Sequence, residues 1–290
     1  MSLLEALAAF PALFILASLM FGLLVGSFLN VAIHRLPKMM ETEFRHECAI
    51  IDLPIETEPP ARPVYNLVKP RSACPGCGRQ IAGYDNIPVL SWLVLRGRCR
   101  HCKTAISVRY PVVELATGLI SAGLAWHFGW GPAAFGAIVF SWVLMALFWI
   151  DVDTYLLPDS LTLPLLWLGL LINLDATFVP LSHAVVGAAA GYLCLWLVYW
   201  LFKLTTGKEG MGYGDFKLLA AIGAWLGWQA LPIVILLSSL VGAVIGIALH
   251  LLANRGWSKP LPFGPYLAMA GLIALIWGPA LNQLIWAGAL

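Results

Sequence analysis

Charge is what this sequence has least of. Only 11% of its 290 residues are Asp, Glu, Lys or Arg, while 60% are hydrophobic. Water-facing globular domains carry about 25% charged residues, so the two soluble domains that length alone suggests are excluded. Residues 1–10 lack any Lys or Arg. A cleavable signal peptide needs a basic n-region, so the first apolar stretch is expected to stay as an anchor. The net charge is only +2, and no nucleic-acid partner is expected. Repeats of fixed period and low-complexity tracts are also missing.

Long apolar runs are what the chain has instead. A hydrocarbon core about 30 Å thick needs roughly 20 apolar residues in a helix. Eight stretches approach this: Leu7–Ile33, Tyr110–Phe128, Ala133–Ile150, Leu161–Val179, Ala184–Phe202, Phe216–Trp228, Leu231–Ala253 and Phe263–Trp286. The fourth carries Pro164 and Asp175, and the sixth is the shortest. The fold class expected is an all-α polytopic membrane protein with eight transmembrane helices. Positive charge tests that layout, because Lys and Arg are retained in the cytoplasm. Twelve of the seventeen lie between Arg35 and Arg109; the others are Lys203, Lys208, Lys217, Arg255 and Lys259. With eight crossings all seventeen fall on one side. Both termini are then outside, and residues 34–109 form a cytoplasmic loop in which Pro54–Pro63 reads as irregular.

That loop holds four of the six cysteines, in Cys74-Pro-Gly-Cys77 and Cys99-Arg-His-Cys102, with 21 residues between the pairs. A two-residue gap lets each pair wrap one edge of a tetrahedral zinc ion, and the separation is near that of paired CxxC sites. Two disulfides are the competing arrangement, but a cytoplasmic loop is kept reduced. Four thiolates leave no open position for a substrate, so the zinc would be structural. Gly76 and Gly78 suit the sharp turns of such knuckles. Cys48 and Cys194 have no spaced partner. The chain thus divides into a first transmembrane helix (1–33), a zinc-binding loop (34–109) and a seven-helix membrane core (110–290).

Acidic residues in or beside membrane spans are functional candidates by default. Five stand out, all at the cytoplasmic edge: Glu114, Asp151, Asp153, Asp159 and Asp215. Asp151 ends the third span, and Asp215 closes Gly212-Tyr213-Gly214-Asp215 before the sixth. Asp153 and Asp159 read as helix-end polar groups, Asp159 preceding the fourth span. Gly212 and Gly214 remove side chains beside Asp215, so an extended peptide can approach and hydrogen-bond there. Two aspartates close enough to interact share a proton. One then activates water, and the other protonates the scissile carbonyl or the departing amine. Glu114 either attracts a basic peptide or pairs with Arg109. Asn30 is expected to hydrogen-bond across helices.

With these residues in order, the chain closely resembles the type IV prepilin peptidases, which belong to the GxGD membrane aspartic proteases. The resemblance runs from Gly26-Ser-Phe-Leu-Asn-Val-Ala-Ile-His-Arg-Leu-Pro37 through Ile106–Glu114, Ile150-Asp151, Leu157-Pro158-Asp159 and Gly212–Leu218 to Pro262-Phe-Gly-Pro-Tyr266. It implies a bifunctional enzyme of the bacterial inner membrane. Prepilins and pseudopilins would be cut at the cytoplasmic face, after a short basic leader. The new N-terminal residue would then be methylated from S-adenosylmethionine. The family's catalytic aspartates fall on Asp151 and Asp215, and its zinc cysteines on Cys74, Cys77, Cys99 and Cys102. Nothing here resembles the glycine-rich loop of a soluble methyltransferase, so the donor site has no assigned residues and is placed only in the 34–114 region. The competing classes are an ion-coupled transporter using intramembrane carboxylates, which predicts acids near the midplane, and a zinc-ribbon membrane adaptor, which needs no aspartates.

Overall fold

Apolar runs without strand-like alternation should fold as helices, and they do. A computed structural model of the protein describes residues 2–51, 65–253 and 261–286. Among these are ten α-helices, three short 3₁₀ segments and two isolated β-bridges, with no strand. In chain order they are α1 (Leu3–Ala9), α2 (Pro11–Ile51), α3 (Leu90–Val94), α4 (Arg109–Phe128), α5 (Pro132–Thr154), α6 (Asp159–Ile172), α7 (Leu181–Thr206), α8 (Tyr213–Leu226), α9 (Leu231–Ala253) and α10 (Gly264–Trp286). Among the described residues four segments are long and apolar enough to cross a membrane, Pro11–Ile51, Pro132–Thr154, Leu181–Thr206 and Trp228–Leu249, which is half of the eight crossings expected from the sequence. The irregular Pro54–Pro63 and the basic pair Arg255 and Lys259 lie outside the described residues.

Several boundaries differ from the sequence expectation. The first stretch is broken at Phe10, between α1 and α2, and α2 does not end at Ile33 but continues to Ile51. Its polar extension is held by neighbours one turn apart: Arg45 donates to Glu41 at 2.5 Å, and the Thr42 hydroxyl donates to the Lys38 carbonyl. The end of the apolar run was therefore not the end of the helix. The fourth stretch is helical only to Ile172, followed by a 3₁₀ turn, Asn173–Asp175.

The chain forms two compact units. One contains Met1–Phe14 and Gly123–Leu290, the other Ile15–Ala122. In the first unit α8 is almost wholly buried, packed against α6, α7 and α10. Small residues make the α7–α8 approach possible: a Cβ on Gly187 would run into the Gly223 carbonyl, and one on Gly223 into that of Gly187. Without a hydrophobic drive between helices in lipid, such close backbone contact is what associates them. Trp225, 1% exposed, donates its indole N–H to the Leu165 carbonyl at 2.8 Å. Fully buried Asn173 closes the end of α8. Its amide donates to the Ala224 and Trp225 carbonyls, and its Oδ1 accepts from the Phe178 and Val179 N–H groups. Those carbonyls belong to the helix's last turn and have no intrahelical partner.

In the second unit α2 meets the first part of α4. A Cβ on Gly26 would lie 2.7 Å from the Glu114 Cα, so the helices touch backbone to backbone there. One turn on, the Asn30 side chain donates to the Tyr110 carbonyl at 3.1 Å, the cross-helix bond expected of it.

Candidate active site

α5 runs one turn beyond its apolar stretch and carries Asp151 in that turn. α8 begins at Tyr213, with Gly212 as its N-cap and Asp215 in its first turn. Both aspartates are buried, 5% and 7% exposed, and they are close enough for their charges to interact. Asp151 Oδ2 and Asp215 Oδ1 are shut from solvent and have no hydrogen-bond partner among the described residues. Buried polar atoms are almost always paired, so two unpaired carboxylate oxygens in one cluster are acceptors held for something else.

Glycines set the spacing of this cluster. A Cβ on Gly214 would fall 2.7 Å from Leu157 Cβ. One on Gly264, the first residue of α10, would fall 2.6 Å from Asp151 Oδ2 and 3.0 Å from Leu157 Cδ1. Gly212 presents its backbone N–H to Asp215, and a Cβ there would meet nothing closer than Asp215 Oδ2 at 3.8 Å. Gly214 is thus needed for packing against Leu157, whereas Gly212 leaves open space beside the acid. Tyr213, between them, rests on Tyr199, with ring centroids 5.2 Å apart. Lys203 donates to the Tyr199 hydroxyl and to Glu209, which fixes the turn leading into α8.

The other acids are engaged elsewhere. Asp159 lies in the first turn of α6, and Lys217 Nζ reaches both of its oxygens at 2.7 Å. Glu114 belongs to the second unit and accepts from the Val89 N–H at 2.7 Å and from the Ser27 hydroxyl. Val89 is β-branched yet has φ 59°. Such a backbone costs on the order of 1–3 kcal/mol and persists only where its surroundings hold it, and Glu114 is one of those holds. Sequence reading missed Gly264 as a neighbour of Asp151. The signal was present as a glycine between Pro262 and Pro265 at the mouth of an apolar span.

The four cysteine sulfurs form one cluster in the second unit, all within 4.8 Å of one another. Zinc–sulfur bonds of about 2.3 Å would separate tetrahedral sulfurs by about 3.8 Å, and Cys74 and Cys102 are 3.6 Å apart. The donor set fits a tetrahedral thiophilic ion. Two matching knuckles build it. The Gly78 N–H donates to the Cys74 carbonyl and the Lys103 N–H to that of Cys99, with φ of 68° and 58° at Gly78 and Lys103. The Thr104 hydroxyl and backbone pull the Cys102 thiol down to about 6, which favours the thiolate a metal requires. Arg100 grips Asp85 at 2.6–3.1 Å and holds its carboxyl below the usual range, tying the second knuckle to the chain before α3.

Both halves of the chain match known families. Residues 20–128 match the Bacterial Peptidase A24 N-terminal domain, and residues 138–247 the Type IV leader peptidase family. The chain is 59% identical to the prepilin leader peptidase/N-methyltransferase of Aeromonas hydrophila, over 97% of each chain. Identity is 58% to that of Aeromonas salmonicida, over 97% of both, and 56% to that of Pseudomonas aeruginosa, over 98% of this chain and 97% of the relative. No solved structure matches.

Proposed function

Because the chain belongs to the type IV leader peptidase family, we infer that Asp151 and Asp215 are the catalytic pair with which it removes prepilin leaders. The protein is a membrane aspartic peptidase that also N-methylates the product. The observation that carries the residue assignment is the pair of buried, unpartnered carboxylate oxygens in one glycine-spaced cluster.

The chemistry follows from the shared proton. One carboxylate takes a proton from water as its oxygen attacks the scissile carbonyl carbon, and the other, protonated, donates to the carbonyl oxygen. Collapse of the tetrahedral intermediate breaks the C–N bond while a carboxyl proton passes to the departing amine. The open side of Gly212 admits an extended backbone beside Asp215, and the intact Asp159–Lys217 pair keeps a third acid out of the reaction.

Eight crossings put every Lys and Arg in the cytoplasm, with both termini periplasmic and the dyad at the cytoplasmic edge of the inner membrane. A prepilin, basic in its leader and apolar in its following helix, would lie with its scissile bond at that depth. Pseudopilins are substrates of the same form. Cys74, Cys77, Cys99 and Cys102 would hold one structural zinc, which supplies cross-linking of the loop and no reactive position. S-adenosylmethionine would be the methyl donor. A transporter has no support from the relatives' names, and an adaptor leaves the buried dyad without a purpose.

The test is cleavage and methylation of a model prepilin, followed by mass spectrometry. Asp151→Asn and Asp215→Asn should each abolish cleavage while the protein still accumulates in the membrane. Groups acting as a unit are non-additive, so the double variant should be little worse than either. Asp151→Asn should still methylate a substrate whose leader is already gone. Substantial cleavage by either purified single variant would sink the assignment.

A further inference from the structure

The second unit contains a cavity of about 660 Å³, the size of small-molecule sites, which run from roughly 300 to 1,000 Å³. Its walls come from α2, the start of α4, the segment around α3 and both cysteine knuckles. None of the peptidase dyad lies in it. Two of its lining residues, Arg35 and Glu114, are buried ionisable groups without an ionic partner among the described residues.

Arg35, 7% exposed, donates to the Asn66 carbonyl at 2.8 Å and the Pro70 carbonyl at 2.6 Å, with the Tyr65 ring 5.7 Å from its guanidinium. No carboxylate among the described residues pairs with it. Among the described residues Glu114, 8% exposed, is met by the neutral Val89 N–H and Ser27 hydroxyl. An isolated buried charge is penalised by several kcal/mol. One cavity with an unanswered cation at one station and an unanswered anion at another suits a ligand bearing both signs. Ser27 and Arg35 are eight residues apart on α2, about 12 Å along its axis, so the ligand is elongated. Trp92 and Tyr110 supply aromatic surface in the same lining, and the Trp92 indole N–H is satisfied by the Ile106 carbonyl.

We propose that this cavity binds S-adenosylmethionine, its methionine carboxylate on Arg35 and its cationic sulfonium toward Glu114. The assignment rests on the transferase reading above and gives it a location. Methyl transfer there breaks the methyl carbon–sulfur bond, whose electron pair stays on sulfur, and forms a carbon–nitrogen bond to the neutral amine. The amine's surplus proton leaves to water, and the product is the uncharged thioether, S-adenosylhomocysteine. Loss of the positive charge at sulfur removes the attraction to Glu114, which favours release of the spent donor over the fresh one.

Equilibrium dialysis of the purified full chain in detergent, with labelled S-adenosylmethionine and S-adenosylhomocysteine, tests this without relying on turnover. The wild type should bind one equivalent of each, the sulfonium form more tightly. Arg35→Gln should weaken both at least tenfold, and Arg35→Lys less. Glu114→Gln should weaken the sulfonium form selectively, so that the ratio of the two dissociation constants falls toward one. A merely structural role would not produce that change of ratio. Zinc content and a single size-exclusion peak monitor folding. Where Arg35→Gln fails to fold, Ala82→Trp, which fills the cavity and removes no charge, should abolish binding of both. Undiminished binding by the folded Arg35→Gln or Ala82→Trp protein, beside a wild type that binds and methylates, overturns the location alone. A wild type that neither binds the donor nor methylates overturns the transferase reading, and this assignment with it.

Discussion

Gly264 offers the sharpest test of the dyad, because the space it leaves is filled by a carboxylate. In Gly264→Ala the new methyl would lie 2.6 Å from Asp151 Oδ2, against about 3.4 Å for an ordinary contact. Either the carboxylate or the start of α10 must therefore move by about 0.8 Å. Misplacing a catalytic group by about 1 Å can reduce the rate 10²-fold, so a loss of between one and two orders of magnitude in kcat is expected, about 1.4–2.7 kcal/mol of barrier. Overpacking of this kind also destabilises by about 1–3 kcal/mol, which must be separated from the catalytic effect. Gly278→Ala is the control: it lies in the same helix, its Cβ would meet nothing within 4 Å, and it removes a helix-interior glycine at a gain of about 1 kcal/mol. The assay is single-turnover cleavage of a prepilin in detergent, with methylation of a pre-cleaved peptide measured in parallel. Gly264→Ala should lose cleavage and retain methylation, while Gly278→Ala keeps both. A folded Gly264→Ala enzyme with kcat within twofold of wild type would refute the placement of Asp151 in the reaction.

Three further outcomes follow from contacts outside the dyad. Asp159→Asn removes an ion pair whose acid is 55% exposed; such pairs contribute about 0–1 kcal/mol, so cleavage should stay within a fewfold of wild type, and a loss as deep as that of Asp151→Asn would mean the wrong acid was chosen. Asn173→Ala strands two carbonyls and two N–H groups at the end of α8; at about 1–3 kcal/mol for each buried unpaired group, thermal denaturation should shift down by several degrees, and an unchanged midpoint would contradict the network. Metal analysis should find about one zinc per chain, lowered by Cys→Ser at 74, 77, 99 or 102 but not at 48 or 194, and retention should fall as pH drops and thiolates protonate. The Asp85–Arg100 pair acts in the same direction. Because Asp85 is held below its usual range, its stabilisation is complete above the unfolded value of about 3.9 and is lost as pH falls through the lower folded value, so knuckle opening should steepen only below about pH 4. Zinc retained undiminished in a Cys74→Ser/Cys102→Ser variant would rule out the site.

What the sequence made legible, and what it hid, divide along physical lines. Helix positions followed from the apolar runs, as where the seventh stretch, Leu231–Ala253, coincides with α9, but α6 and α8, at 14 residues each, fall short of the roughly 20 residues a bilayer asks for. The cysteine cluster was legible because CxxC spacing is itself the geometry of chelation. The continuation of α2 to Ile51 was hidden because helicity there depends on one-turn polar pairs, Glu41–Arg45 among them, and not on hydropathy. The neighbours of Asp151 were hidden for a different reason. Gly264 and Leu157 are respectively 113 and 6 positions away in the chain, and nothing local in α5 records which backbone will close over its last turn.

The proposed sites for the two chemistries fall in different compact units of the chain. Peptide hydrolysis needs two acidic groups withheld from partners, and the proposed dyad lies on α5 and α8 of the first unit. Methyl transfer needs a cavity that answers a carboxylate and a sulfonium, and Arg35 and Glu114, proposed to supply those answers, lie on α2 and α4 of the second. Substitutions confined to one set should therefore add to those in the other, because sites without shared partners are nearly independent. Glu114→Gln combined with Gly264→Ala should show the methylation defect of the first and the cleavage defect of the second, each at its single-variant size. A double variant whose cleavage defect departed from that of Gly264→Ala by more than about 0.5 kcal/mol would mean that Glu114 also acts in hydrolysis, by drawing the basic leader toward the dyad.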